Sequence, residues 1–88
     1  HGPAIEQPKP HVEAFIAHRL ERQAQIVECM RKGVTHITDM VPRMYLDTPE
    51  FMYPAAGRSV FAALEYMVST GVAETDGEPT LEGEYRLT

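Results

Sequence analysis

A mainly helical fold closed by a small β-hairpin is what this sequence predicts, on three observations. The first is an amphipathic stretch from Pro54 to Gly71. The second is a longer one from His11 to Lys32, stopped by Gly33. The third is a pair of short β-compatible segments at the end, Val72 to Thr75 and Glu84 to Thr88, separated by the turn signal Asp76-Gly77-Glu78-Pro79. With a short strand and a second helix between the two long stretches, the order is helix, strand, helix, helix, strand, strand. That is the order of a winged helix-turn-helix domain.

The Pro54–Gly71 stretch is the expected spine. Gly57, Val60, Phe61, Leu64, Met67, Val68 and Gly71 recur at the spacing of one broad helical face. Pro54 suits a first helical position, where a missing N–H costs nothing, and Gly71 suits the stop just past the end. Arg58, Ala62, Glu65, Tyr66 and Ser69 fall on the opposite face. A reading head for DNA would use that face, and one cation with one anion is poor equipment for it.

Ahead of it, the His11–Lys32 helix carries the stripe Val12, Phe15, Ile16, Leu20, Ile26, Val27 and Met30, with Arg19 and Gln23 interrupting where apolar residues belong. The pattern predicts two segments. The second packs on the Pro54–Gly71 helix, while Phe15 and Ile16 lie beyond the core such a domain needs and form a surface patch for a partner domain, or else fold back over the lead-in. Residues 1–10, with three prolines, are an extended lead-in, and residues 11–88 are the domain. Val34 to Ile37 is a one-rung strand. Thr38 or Asp39 caps a helix from Met40 to Leu46, with Pro42 in its first turn and Met40, Val41, Met44 and Tyr45 on its apolar side. Thr48-Pro49-Glu50 has the form of a cap and a first turn. In the hairpin, Tyr85 and Leu87 point inward and Arg86 and Thr88 outward. Leu20, Val27, Val60, Leu64, Met67 and Tyr85 are expected to share one core.

Composition bounds the rest. The 88 residues suffice for one domain with a thin core, and 43% apolar residues are globular rather than disordered. The single cysteine, Cys29, excludes an internal disulfide and suits a reducing, cytoplasmic compartment. No apolar run approaches a membrane span, and nothing resembles a signal peptide. The net charge is −5, but Glu74, Asp76, Glu78, Glu82 and Glu84 concentrate acid in the hairpin and leave eight acids and seven bases over residues 1–73. Such a balance disfavours nucleic acid as a partner of the domain by itself. The four histidines, His1, His11, His18 and His36, show no metal-ligand spacing. Ser59 and Ser69 have no His–acid partners implied by the sequence, and Glu28 beside Cys29 raises the thiol pKa rather than activating it. The chain opens unusually, on His1-Gly2-Pro3, as an expression remnant or a piece cut from something longer would.

His1-Gly2-Pro3, the prolines after it, Phe15-Ile16-Ala17-His18-Arg19, Arg22 and Ile26 together resemble a known arrangement. It is the segment that closes the catalytic domain of metallo-β-lactamase-fold hydrolases of the β-lactamase-like type and leads into their C-terminal winged-helix domain. The resemblance runs on in one register through Thr35, Asp39-Met40-Val41, Tyr45, Pro54-Ala55-Ala56, Val60, Ala63-Leu64-Glu65, Gly71-Val72 and Gly83-Glu84-Tyr85-Arg86-Leu87. It implies that the domain packs on the catalytic domain of the same chain and flanks its substrate entrance. Phe15, Ile16, His18, Arg19 and Arg22 would form that interface. The domain alone would not catalyse; the parent would perform metal-assisted hydrolysis of an ester, thioester or phosphodiester. His1 would be one ligand of a zinc centre in the intact parent, whose other ligands are not among these residues. Self-association would be a further role. The alternatives are an autonomous winged-helix DNA-binding module and a protein-interaction module of the same fold.

Overall fold

The computed structural model describes the backbone of residues 8–88 and the side chains of residues 17–88. Expectations for His1, His11, Val12, Phe15 and Ile16 therefore lie outside the described residues.

Three helices and a two-stranded hairpin form the fold: α1 (Pro8–Arg31), α2 (Ile37–Met44), α3 (Tyr53–Ser69), β1 (Ala73–Thr75) and β2 (Tyr85–Leu87). Helix α1 begins three residues before the expected His11, so residues 8–10 belong to the helix and not to the lead-in. Pro8 and Pro10 cost it little, because first-turn N–H groups have no intrahelical acceptor. Both long helices stop as their glycines predict. Gly33 and Gly71 have φ of +83° and +82°, and each is followed by the paired backbone bonds of a Schellman motif. Val34 N–H donates to Cys29 O and Gly33 N–H to Met30 O; Val72 N–H donates to Met67 O and Gly71 N–H to Val68 O.

Helix α2 departs from expectation. It starts at Ile37, with His36 as an N-cap that makes no side-chain bond, and neither Thr38 nor Asp39 caps it. Burial explains the earlier start: Ile37, Met40 and Val41 fall at i, i+3 and i+4, and all three are buried. Pro42 consequently sits in the sixth position rather than the first turn, where it deprives the Thr38 carbonyl of its helical donor. Thr48 caps nothing either. A single 3₁₀ turn (Glu50–Met52) leads from Pro49 into α3, with Pro54 in the first helical turn.

The core is one cluster. Ile26, Cys29 and Met30 come from α1 and Ile37, Met40 and Val41 from α2. Ala56, Val60, Leu64 and Met67 come from α3, and Ala73 and Tyr85 from the hairpin. Val60, Leu64, Met67 and Tyr85 are fully enclosed as expected, and Val27 packs against them half-buried. Leu20 is the correction. It is 61% exposed, because only the last turns of α1 meet the core. Gly57 lies where α2 meets α3, and a Cβ there would stand 3.7 Å from an Ile37 methyl, an ordinary contact.

The hairpin pairs Ala73 with Leu87, Glu74 with Arg86 and Thr75 with Tyr85, antiparallel. Tyr85 is buried and Leu87 half-buried, while Arg86 and Thr88 are exposed, which is the expected alternation. The one-rung strand near Val34–Ile37 reduces to an isolated bridge between His36 and Glu84, beside a bond from Tyr85 N–H to Thr35 O. Among the described residues the sheet thus has two strands. The Tyr85 hydroxyl donates to Thr80 O at 2.6 Å, which satisfies the polar tip of a buried ring and ties down the wing loop.

Candidate functional site

The turns of α1 that miss the core do not face empty solvent on every side. His18 with Arg22 and Arg19 with Gln23 are i, i+4 pairs, and both pairs line an open groove against α3. Helix α3 contributes Ser59, Ala62, Ala63 and Tyr66 at i, i+3, i+4 and i+7, and the groove encloses about 410 Å³. Short side chains at three of those four α3 positions leave the space that larger ones would have filled.

Two tyrosines set the cations. The Arg19 guanidinium carbon lies 4.8 Å from the centre of the Tyr66 ring, and that of Arg22 lies 4.8 Å from the centre of the Tyr45 ring. The Arg22 side chain also donates a hydrogen bond from Nη1 to the Tyr45 hydroxyl. Such stacking contributes about 0.5–1 kcal/mol at an exposed site and leaves the in-plane N–H donors of a guanidinium available. Among the described residues, the ion pairs are Lys32–Glu28, Arg86–Glu74 and Arg86–Asp76. Neither groove arginine takes part in one. The groove therefore presents two oriented guanidinium groups, unpaired with carboxylates among the described residues, beside an exposed histidine.

The structure thus brings together His18, Arg19 and Arg22, three of the five residues named for the interface. Phe15 and Ile16 are outside the described residues. Tyr45 and Tyr66 were not assigned to the site from sequence. Tyr66 is exposed on the outward face of its helix, as its spacing predicts, and Tyr45 follows α2 directly as its C-cap. The signal that pointed here was the break in the α1 stripe at Arg19 and Gln23, which marks where the helix stops facing the core.

Ser59 and His18 line the same groove, but among the described residues no hydrogen bond joins them and no carboxylate lines it. Cys29 is buried, and burial pushes its thiol pKa above the ordinary 9.0, with Glu28 adding slightly and Arg43 and Lys32 partly opposing. Among the described residues, no group of three or more His, Cys, Asp or Glu side chains is placed to hold a metal. The described residues therefore do not fit a zinc centre. None of the described helices is long and apolar enough to cross a membrane.

The face that would meet DNA carries Arg58, Ala62, Glu65, Tyr66 and Ser69, all exposed. Arg86, the one base of the wing, donates to Glu74 at 2.9 Å and to Asp76 at 3.1 Å. Its single charge is thereby answered twice over within the hairpin.

Comparison with known proteins agrees with the fold. Residues 37–82 match the family described as the beta-lactamase associated winged helix domain. Two curated proteins are similar, both called beta-lactamase-like protein 2 homolog. The one from Drosophila melanogaster is 35% identical over 63 residues, 68% of this chain and 22% of that protein. The one from Caenorhabditis elegans is 29% identical over 76 residues, 84% of this chain and 25% of that protein. The chain thus matches about a quarter of the length of these relatives. No solved structure gives a significant match.

Proposed function

Since this chain belongs to the beta-lactamase-associated winged-helix domains, we propose that it is the accessory domain of a metallo-β-lactamase-fold hydrolase. It packs on the catalytic domain through the α1–α3 groove and flanks the substrate entrance. The observation that carries this is the groove itself. His18, Arg19 and Arg22 stand on turns of α1 that the domain's own core leaves uncovered, with both guanidinium groups oriented on tyrosine rings and unpaired with carboxylates among the described residues. Orienting a long cationic side chain in advance reduces the ordering cost of an interface, and a bidentate fork suits a carboxylate on the facing surface.

In this reading the hydrolytic chemistry and its zinc belong to the parent protein. His1 would be one metal ligand there, with the others on the catalytic domain. The domain's contribution is position: it walls one side of the entrance and fixes the catalytic domain against it. Self-association is a secondary role. Autonomous DNA binding is disfavoured by the mixed outer face of α3 and by the internal neutralisation of Arg86, which leave little counterion release to drive it.

Calorimetry of the intact parent tests the proposal. Wild type should unfold in one transition, and a parent with Arg19→Glu and Arg22→Glu should unfold in two, the winged-helix part separating from the rest. A single unchanged transition in the double variant would remove the groove from the domain interface.

A further inference from the structure

The connection between α2 and α3 spends apolar side chains that the domain does not use. Leu46 and Phe51 are each 81% exposed and Met52 is 46% exposed, all within seven residues. A single exposed leucine needs no explanation, but three large apolar side chains on one short connection do. Nor is this connection loosely held. Thr48 N–H donates to Tyr45 O and Met52 N–H to Pro49 O, and the latter bond closes the 3₁₀ turn. The backbone is fixed while its side chains point away from the core.

This connection adjoins the groove. A second hollow of about 310 Å³ is lined by Tyr45, Met52 and Ser59 among others, and Ser59 also lines the α1–α3 groove. Tyr45, in turn, carries the Arg22 guanidinium on its ring. One surface therefore runs from Arg19 through Ser59 to Met52, cationic at one end and mainly apolar at the other, where Asp47 and Thr48 also line it.

We infer that the Leu46–Met52 connection is a second anchor of the same docking face, with Phe51 entering an apolar socket on the catalytic domain. The inference rests on the function proposed above and extends it to residues the groove does not contain. The catalytic domain is the occupant for two reasons. The relatives carry about three quarters of their length outside the part matched here, and the apolar end is continuous with the groove assigned to that domain. A second copy is a poorer fit, because it would bring the same two arginines, of like charge, to the shared face. Fixed aromatic anchors beside oriented charges are the usual centre of binding energy in an interface.

Hydrogen exchange read by mass spectrometry tests this, comparing the 88-residue chain with the intact parent. Amides of residues 45–53 should exchange at least tenfold more slowly in the parent, and Phe51→Ser in the parent should return them toward the rate of the isolated chain. Phe51 is exposed, so that variant leaves the domain's own core alone. Residues 17–24 report separately on the groove. Slowing there with no slowing at 45–53 would overturn the second anchor and keep the groove; no slowing at either would overturn both. Slowing at 45–53 alone would keep Phe51 as an anchor and remove the groove. Protection of 45–53 that vanishes on dilution would assign the surface to a second copy and overturn the inference.

Discussion

The two ends of the described part of α1 were built from similar material and do different work. From Ile26 to Met30 the helix presents Ile26, Cys29 and Met30 to α2, α3 and Tyr85, and all three are buried. From Ala17 to Leu20 every residue is exposed, and Arg22 and Gln23 are only half covered. The difference lies in what α3 offers opposite. Val60, Leu64 and Met67 meet the first segment and fill the space completely. Ser59, Ala62 and Ala63 line the groove beside the second and leave it open. A helix face with an apolar filler opposite becomes core. One with short residues opposite stays a groove, and its arginines are held by tyrosines instead of being buried.

The contrast can be broken most severely at its closed end. Leu64→Ala should cost about 2–5 kcal/mol, since a fully enclosed leucine loses both its transfer energy and its packing. Urea unfolding of the domain measures this, and Ile26→Ala should fall in the same range. Leu20→Ala, two turns away on the same helix, should change stability by no more than about 0.5 kcal/mol. A large loss at Leu20 would erase the distinction between the two segments.

Smaller effects sharpen the picture. Gly71→Ala places a Cβ on a residue at φ +82° with nothing within 4 Å of it. The cost, about 1–2 kcal/mol, should therefore be conformational and not steric. Tyr85→Phe should cost about 1 kcal/mol by removing the short hydroxyl bond to the Thr80 carbonyl, which keeps only the longer one from Gly83 N–H at 3.4 Å. Unfolding midpoints in urea check both.

Alkaline pH should act on the closed end too. Burial raises the pKa of Cys29 above 9.0 and that of Tyr85 above 10.0. A folded pKa above the unfolded one means that the folded state holds its proton longer. The stabilisation is whole below the unfolded value and is lost as pH rises through the folded one. Stability should thus decline from about pH 9 upward, and Cys29→Ala should soften the first part of that decline. Denaturation curves at stepped pH show it; a slope unaffected by Cys29→Ala would contradict the assignment.

Much of this was legible in the residues. Gly33 and Gly71 announced both helix ends because a left-handed stop has few other occupants. The recurrence of Val60, Leu64 and Met67 named the spine, and the alternation at Tyr85–Thr88 gave the wing its faces. Leu20 misled because periodicity reports which side of a helix is apolar, not where its neighbour ends. The cap-like Thr38 and Asp39 point to a later start for α2 than the real one, because burial of Ile37 decides where the helix begins. In the site, the interruption of the stripe by Arg19 and Gln23 marked the right turns. The pairing of Arg19 with Tyr66 and Arg22 with Tyr45 spans three helices, and no local pattern encodes such contacts.

The central claim is that the open segment of α1 is covered in the intact parent. Ala62→Cys tests it directly, because Ala62 is exposed and lines the groove, while buried Cys29 competes poorly for a thiol reagent. Alkylation at position 62, followed by peptide mass spectrometry, should be rapid in the 88-residue chain and at least tenfold slower in the intact parent. Equal rates in the two would mean that the groove stays open to solvent and that the catalytic domain docks elsewhere.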